Sequence, residues 1–230
     1  SLIYGEAIPE LTYTISGFVH SEDATVLDAL PVMATTAEET SGAGTYEITG
    51  SGALSENYTF EYESGSLTIG KANLQISADD QSLIYGEAIP ELTYTISGFV
   101  HGEDATVLDV LPVMATTAQE TSGAGTYEIT GSGALSENYT FEYEAGNLTI
   151  GKANLQISAH NQSITYGDPI PALTYTITGF VHGDDESDLE ISPVLTTIAT
   201  SSSDAGAYTI KVDGAASSDY EISYEHAVLT

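Results

Sequence analysis

Two hundred and thirty residues, 41% of them hydrophobic, are enough to bury real cores, which excludes a disordered tail; with no Trp, those cores fall to Leu, Ile, Val, Tyr and Phe. Lys and Arg total 3 against 34 Asp and Glu, a formal net charge of −31, and such a surface repels nucleic acid and anionic membrane, because both bind through cations that neutralise phosphate. The absence of Cys removes disulfides and thiolate metal sites, and no apolar run approaches the ~18 residues of a membrane span, so no membrane insertion is expected in this segment.

The string SLIYGEAIPELTYTISGFVH begins at Ser1 and again at Ser82, and SITYGDPIPALTYTITGFVH begins at Ser163, a period of 81 residues. Copies one and two differ mainly at small or polar positions, such as Ser21 against Gly102 and Glu38 against Gln119. The third copy has drifted further but keeps Tyr166, Gly167, Pro171, Leu173, Tyr175, Ile177, Gly179 and Phe180 in step. An active site has no use for three copies of itself in line, whereas a spacer gains length from each. The expected organisation is beads on a string, with repeat 1 at residues 1–71 lacking its first strand, repeat 2 at 72–152 and repeat 3 at 153–230. Ser1 falls in mid-repeat, so targeting segments are expected outside these residues.

Taking the second copy in chain order, a turn at Tyr85-Gly86-Glu87 precedes Leu92–Phe99, whose alternation puts Leu92, Tyr94 and Ile96 on one face of a strand. A short helix of two turns is expected over 102–111, where Ala105, Leu108 and Leu111 fall three apart, acids crowd the start and Pro112 stops it. Strands are then expected at Pro112–Thr116, Thr126–Thr130, Tyr139–Tyr143 and Leu148–Ile150, separated by Gly- and Ser-rich turns. The joint into the third copy, Gly151-Lys152-Ala153-Asn154, is short, which implies a stiff junction rather than a tether. The fold class is therefore mostly β with a short helix per repeat, an α+β, β-grasp-like sheet curled over the helix; an all-β immunoglobulin-like sandwich is the alternative.

The combination of YGE followed by IPELTYTISGFV, GTYEITGSGA, ENYTFEYE and the closing LTIGKA resembles the MBG-type repeats (YGX or YDG group) of large bacterial surface adhesins, and the likeness covers all three copies. The resemblance implies a non-catalytic module of a secreted or surface-anchored protein engaged in adhesion or biofilm contact, and it carries over no catalytic residues. The implied role is the stalk or filament shaft of an extracellular adhesin on a bacterial surface. Two alternatives stay open: a repeat that binds host or matrix glycan or protein, or a subunit that polymerises with like subunits by strand addition. The third copy reads Ser218-Asp219-Tyr220 where the others have Glu-Asn-Tyr.

Among candidate sites, Glu103, Asp104 and Asp109, with Asp184, Asp185 and Asp188, offer oxygens to Ca²⁺, although they lack the spacing of an EF-hand loop. The alternative is a solvated helix start stabilised by its acids. His20, His101 and His182 recur beside these acids, but one His per repeat is a poor transition-metal site. No G-x-S-x-G elbow or other nucleophile-base arrangement stands out, so no catalytic residue and no cofactor other than Ca²⁺ is expected. Lys71 and Lys152, in the Gly-Lys-Ala-Asn joints, are candidates for a Lys-Asn isopeptide or for a simple polar contact. The alternating Tyr58, Phe60 and Tyr62 mark either the core side of a sheet or an aromatic sugar-binding face. The partners expected are adjacent repeats of the same chain.

Overall fold

The computed structural model describes residues 1–230, which divide into two compact units: residues 1–77, 94–113 and 131–144, and residues 78–93, 114–130 and 145–230. In the first unit β1 (Leu2–Ile3), β2 (Val32–Thr35), β3 (Gly44–Ser51) and β4 (Gly65–Gly70) form a sheet of order β1-β4-β3-β2. After Lys71 the chain enters a second sheet through β5 (Ala72–Ala78), which lies between β7 (Tyr94–Ser97) and β10 (Tyr139–Glu144). The reason these runs are strands is visible in their alternation: Leu67 and Ile69 of β4, and Ala72, Leu74 and Ile76 of β5, are buried while their neighbours face solvent. Both sheets feed one apolar cluster, in which Leu2, Tyr4, Ala37, Leu67 and Ile69 of the first sequence repeat meet Ala72, Leu74, Leu108 and Tyr139 of the second. Two sheets around one core make a two-layered β arrangement, and its core straddles a repeat boundary.

The second unit shows the same construction one period later. Its first sheet holds β6 (Gln81–Ile84), β11 (Gly146–Gly151), β9 (Gly125–Ser132) and β8 (Val113–Thr116) in that order, and its second holds β13 (Tyr175–Thr178), β12 (Ala153–Ala159) and β16 (Tyr220–Glu225). Their shared cluster joins Tyr85, Ala118, Ile129, Leu148 and Ile150 to Ala153, Leu155, Leu189 and Tyr220. A third sheet, β14 (Val194–Thr197), β15 (Tyr208–Asp213) and β17 (Ala227–Leu229), has its own cluster of Ala199, Ile210, Ala227 and Leu229.

Four parallel pairings tie early strands to late ones in the same register: Leu2 faces Ile69, Ala72 faces Tyr139, Gln81 faces Leu148 and Ala153 faces Tyr220. Each partner lies 67 residues further along, an offset also seen in side-chain bonds such as Ser77 to Glu144. The parallel pairs sit beside antiparallel ones, such as β11 with β9 and β12 with β13, within the same sheets. They require long crossovers, which the intervening antiparallel strands supply.

The expected helix over 102–111 is not formed, and the β-grasp-like reading falls with it. In its place stands a single 3₁₀ turn, Ala105–Val107, matched by Ala24–Val26 and Glu186–Asp188. Asp104 caps it by accepting the Thr106 N–H at 2.9 Å, but Leu108 is already extended (φ −82, ψ 136). The reason is competition for the backbone: Leu108 turns into the core, and the N–H groups of Asp109 and Val110 donate to the Leu135 carbonyl at 2.9 and 3.3 Å. A helix this short is too weak to resist a long-range ladder, and Thr106 and Val107 are β-branched besides.

Candidate functional site

The features that recur with most chemical detail lie where one repeat meets the next within each unit. The Tyr-Gly-Glu motif is a turn: the Glu6 N–H donates to the Ile3 carbonyl, and its carboxylate accepts the Ile3 N–H at 2.7 Å. Glu87 does the same at Ile84, at 2.8 Å. The glycine is required twice over. Gly5 and Gly86 have φ of 91° and 100°, and a Cβ on either would stand 2.6 Å from Val100 or Val181 of the following repeat. This turn aims the preceding tyrosine across the boundary.

The Tyr4 hydroxyl donates to Glu103 at 2.7 Å, and the Tyr139 hydroxyl donates to the other oxygen of the same carboxylate at 2.5 Å. One acid thus holds a tyrosine from each repeat. The Tyr139 oxygen also accepts the Val100 N–H at 3.1 Å, and the two tyrosine rings meet edge to face at 5.5 Å. In the second unit Tyr85 and Tyr220 donate to Asp184 at 3.1 and 2.7 Å, the Val181 N–H reaches Tyr220 at 3.0 Å, and the rings again lie 5.5 Å apart. A second bridge runs from the Ala43 N–H to Asn138 Oδ1 at 2.9 Å, and from the Ala124 N–H to Asp219 Oδ1 at 2.6 Å. Only an oxygen is used there, which explains why Asp serves where the other copies have Asn.

Burial and the carboxylates of Glu103 in one unit and Asp184 in the other hold these hydroxyls protonated. The hydrogen bond to Glu103 is the largest cause of the rise of the Tyr4 pKa to about 12; burial is the largest for Tyr85 and Tyr139, also about 12, and it pushes Tyr220 up as well. The tyrosines therefore donate to the carboxylate rather than titrate beside it. No buried side-chain polar atom lacks a partner, and the two carboxylates each tie together tyrosines of neighbouring repeats as a clamp.

The sequence-derived candidates scatter around this junction. Glu103 and Asp184 are the clamping carboxylates. Asp104 and Asp185 cap the 3₁₀ turns, where bonds from Thr106 and Ser187 hold their carboxyls below the usual range. Asp188 accepts the Asp185 N–H, and Asp109 joins the ladder only through its backbone. Nowhere do three His, Asp or Glu side chains converge in a metal-ligand group. His20, His101 and His182 take the left-handed conformation (φ 55°, 54° and 56°), and His101 and His182 pack on Tyr4 and Tyr85 at 5.4 Å. Lys71 and Lys152 donate to the carbonyls of Ser136 and Ser217 at 2.7 and 2.8 Å. Tyr139 and Phe141 join the core, while the Tyr62 and Tyr143 hydroxyls accept the N–H groups of Ala53 and Ala134.

Reading residues alone missed the pairing of Tyr4 with Glu103. The available signal was the third copy, where Glu becomes Asp184 and Asn becomes Asp219, so an oxygen acceptor survives at both places. A family model described as MBG domain (YGX type) matches residues 1–68, 74–149 and 155–230. Among curated proteins nothing matches.

Proposed function

The chain belongs to the MBG (YGX-type) domain family, and on that premise we propose that it serves as a structural spacer, the stalk or filament shaft of an extracellular adhesin on a bacterial surface, with adhesive activity carried by other parts of that protein. The observation that carries this reading is the clamp itself. It occurs twice at equivalent positions, with Glu103 in one unit and Asp184 in the other, and in each case it joins one repeat to the next. A core that straddles the repeat boundary resists bending there, because opening the junction would expose Tyr4 or Tyr85 along with the cluster around it.

The charge supports the same reading. A net charge of −31 keeps concentrated, exposed copies apart in solution and is screened beyond about 8 Å at physiological ionic strength. No helix is long and apolar enough to cross a membrane.

Small-angle scattering on chains of two, three and four repeats tests the proposal. A spacer gives a maximum dimension that grows by an equal increment with each repeat and is the same at low and high salt. A dimension that stays nearly constant while mass increases would sink it.

A further inference from the structure

Just beyond β5 and again just beyond β12, a proton acceptor and a carboxamide converge on one threonine hydroxyl. The Thr93 hydroxyl donates to Asp79 Oδ2 at 2.7 Å, and Gln81 Nε2 lies 3.0 Å from the same Thr93 oxygen. One period later Thr174 Oγ1 stands 3.0 Å from His160 Nδ1 and 3.5 Å from Gln162 Nε2. The backbone fixes each set. The Asp79 and His160 N–H groups donate to the Thr93 and Thr174 carbonyls at 3.0 and 2.9 Å. Gln81 is held in register with Leu148, and the Gln162 N–H donates to the Val228 carbonyl at 2.9 Å.

The change between the two sets shows what is kept. Asp79 and His160 differ in shape and charge, yet each offers the threonine a proton acceptor. In the tautomer protonated at Nε2, His160 takes the Thr174 proton at Nδ1 and donates to Thr176 Oγ1 at 2.6 Å. That is a nucleophile, a base and a group that orients the base. The glutamine supplies an acyl carbon, one bond beyond the Nε2 that approaches the hydroxyl, and a nitrogen able to depart. Gln162 Nε2 also donates to the Ala172 carbonyl at 3.0 Å, which holds the departing nitrogen in place. Both glutamines are half-buried, while both threonines face solvent, where a released ammonia can escape.

We propose that Thr93 with Gln81, and Thr174 with Gln162, are joined by intramolecular ester bonds that the chain forms on itself. The threonine Oγ attacks the glutamine Cδ, so that the Oγ–Cδ bond forms and the Cδ–Nε2 bond breaks. The hydroxyl proton passes through Asp79 or His160 to Nε2, and the nitrogen leaves as ammonia. No electrons are gained or lost and no co-reactant is consumed. Protonation and dilution of ammonia at neutral pH draw the exchange of amide for ester forward, and confinement within one short segment supplies the effective concentration. Each bond closes residues 81–93 or 162–174 into a covalent ring around the Tyr-Gly-Glu or Tyr-Gly-Asp turn. The chemistry does not depend on the spacer reading.

Intact-mass measurement on the 230-residue chain, folded and held at neutral pH for several days, reads the reaction directly. Two bonds lower the mass by about 34 Da, one ammonia of about 17 Da for each. A protease that cuts after Asp and Glu leaves peptides 81–87 and 92–103 joined, although Glu87 and Glu91 lie between the linked residues. Hydroxylamine, which cleaves esters and spares amides, then separates them. Thr93→Val and Thr174→Val each abolish one of the two losses, and Asp79→Asn and His160→Ala slow formation at their own sites by about a hundredfold. A chain that retains the full mass of its sequence overturns the proposal. So does a loss that survives when both threonines are replaced, or a rate indifferent to both Asp79→Asn and His160→Ala.

Discussion

Residues 13–16 and 94–97 both read Tyr-Thr-Ile-Ser, and residues 58–63 and 139–144 both read Tyr-Thr-Phe-Glu-Tyr-Glu, yet only the second member of each pair forms a strand. Intrinsic preference cannot distinguish identical strings. The difference is the strand between them: β5 lies between β7 and β10, and no strand lies between 13–16 and 58–63. An extended segment in this fold holds its shape only when a neighbour completes its ladder and covers its apolar face.

The strongest way to break that comparison is to supply the neighbour. A chain carrying the sequence of residues 71–81 ahead of Ser1 should convert 13–16 and 58–63 into strands, with amide exchange slowed roughly a hundredfold or more, close to the values for 94–97 and 139–144. Exchange that stays fast would show that something other than the central strand separates the two pairs. Next in size is Leu74→Ala, at the middle of β5 and fully buried, which should cost about 2–5 kcal/mol in urea unfolding. If it costs less than 1 kcal/mol, on the same scale, β5 is not what organises its neighbours.

Tyrosines at equivalent positions sharpen the point at the junction. Tyr4→Ala should cost about 3 kcal/mol, whereas Tyr166→Ala, in a matching motif but uncovered, should stay within about 0.5 kcal/mol. The smallest effect concerns protons. Tyr4, Tyr85 and Tyr139 have pKa values raised to about 12 from 10.0, so the folded state favours the neutral hydroxyl. Their contribution is fully present below pH 10 and is lost as pH rises toward 12. Urea midpoints should therefore fall across that window, and absorbance titration should show a late class of tyrosines that Tyr4→Phe and Tyr85→Phe deplete.

Several elements were legible in the residues. The alternation in Thr126–Thr130, Tyr139–Tyr143 and Leu148–Ile150 falls within β9, β10 and β11, and Val113–Thr116 forms β8 behind Pro112. The helix over 102–111 was misread because spacing reports what a segment would do alone, while Leu135 claims its backbone from far along the chain. The clamp was hidden for a related reason: Tyr4 and Glu103 stand 99 positions apart, so no local window contains both. Glu103 consequently read as a candidate Ca²⁺ ligand among other acids.

By itself, then, the order of residues determined the period, the β character, the family and the turns at Tyr-Gly-Glu, since each depends on side chains within a few positions of one another. Tertiary structure decided which repeats share a core, which tyrosines are covered and which acid joins them. Those outcomes depend on strands that pair and pack at separations of 67 to 99 residues, and a face is buried only if another sheet arrives to cover it.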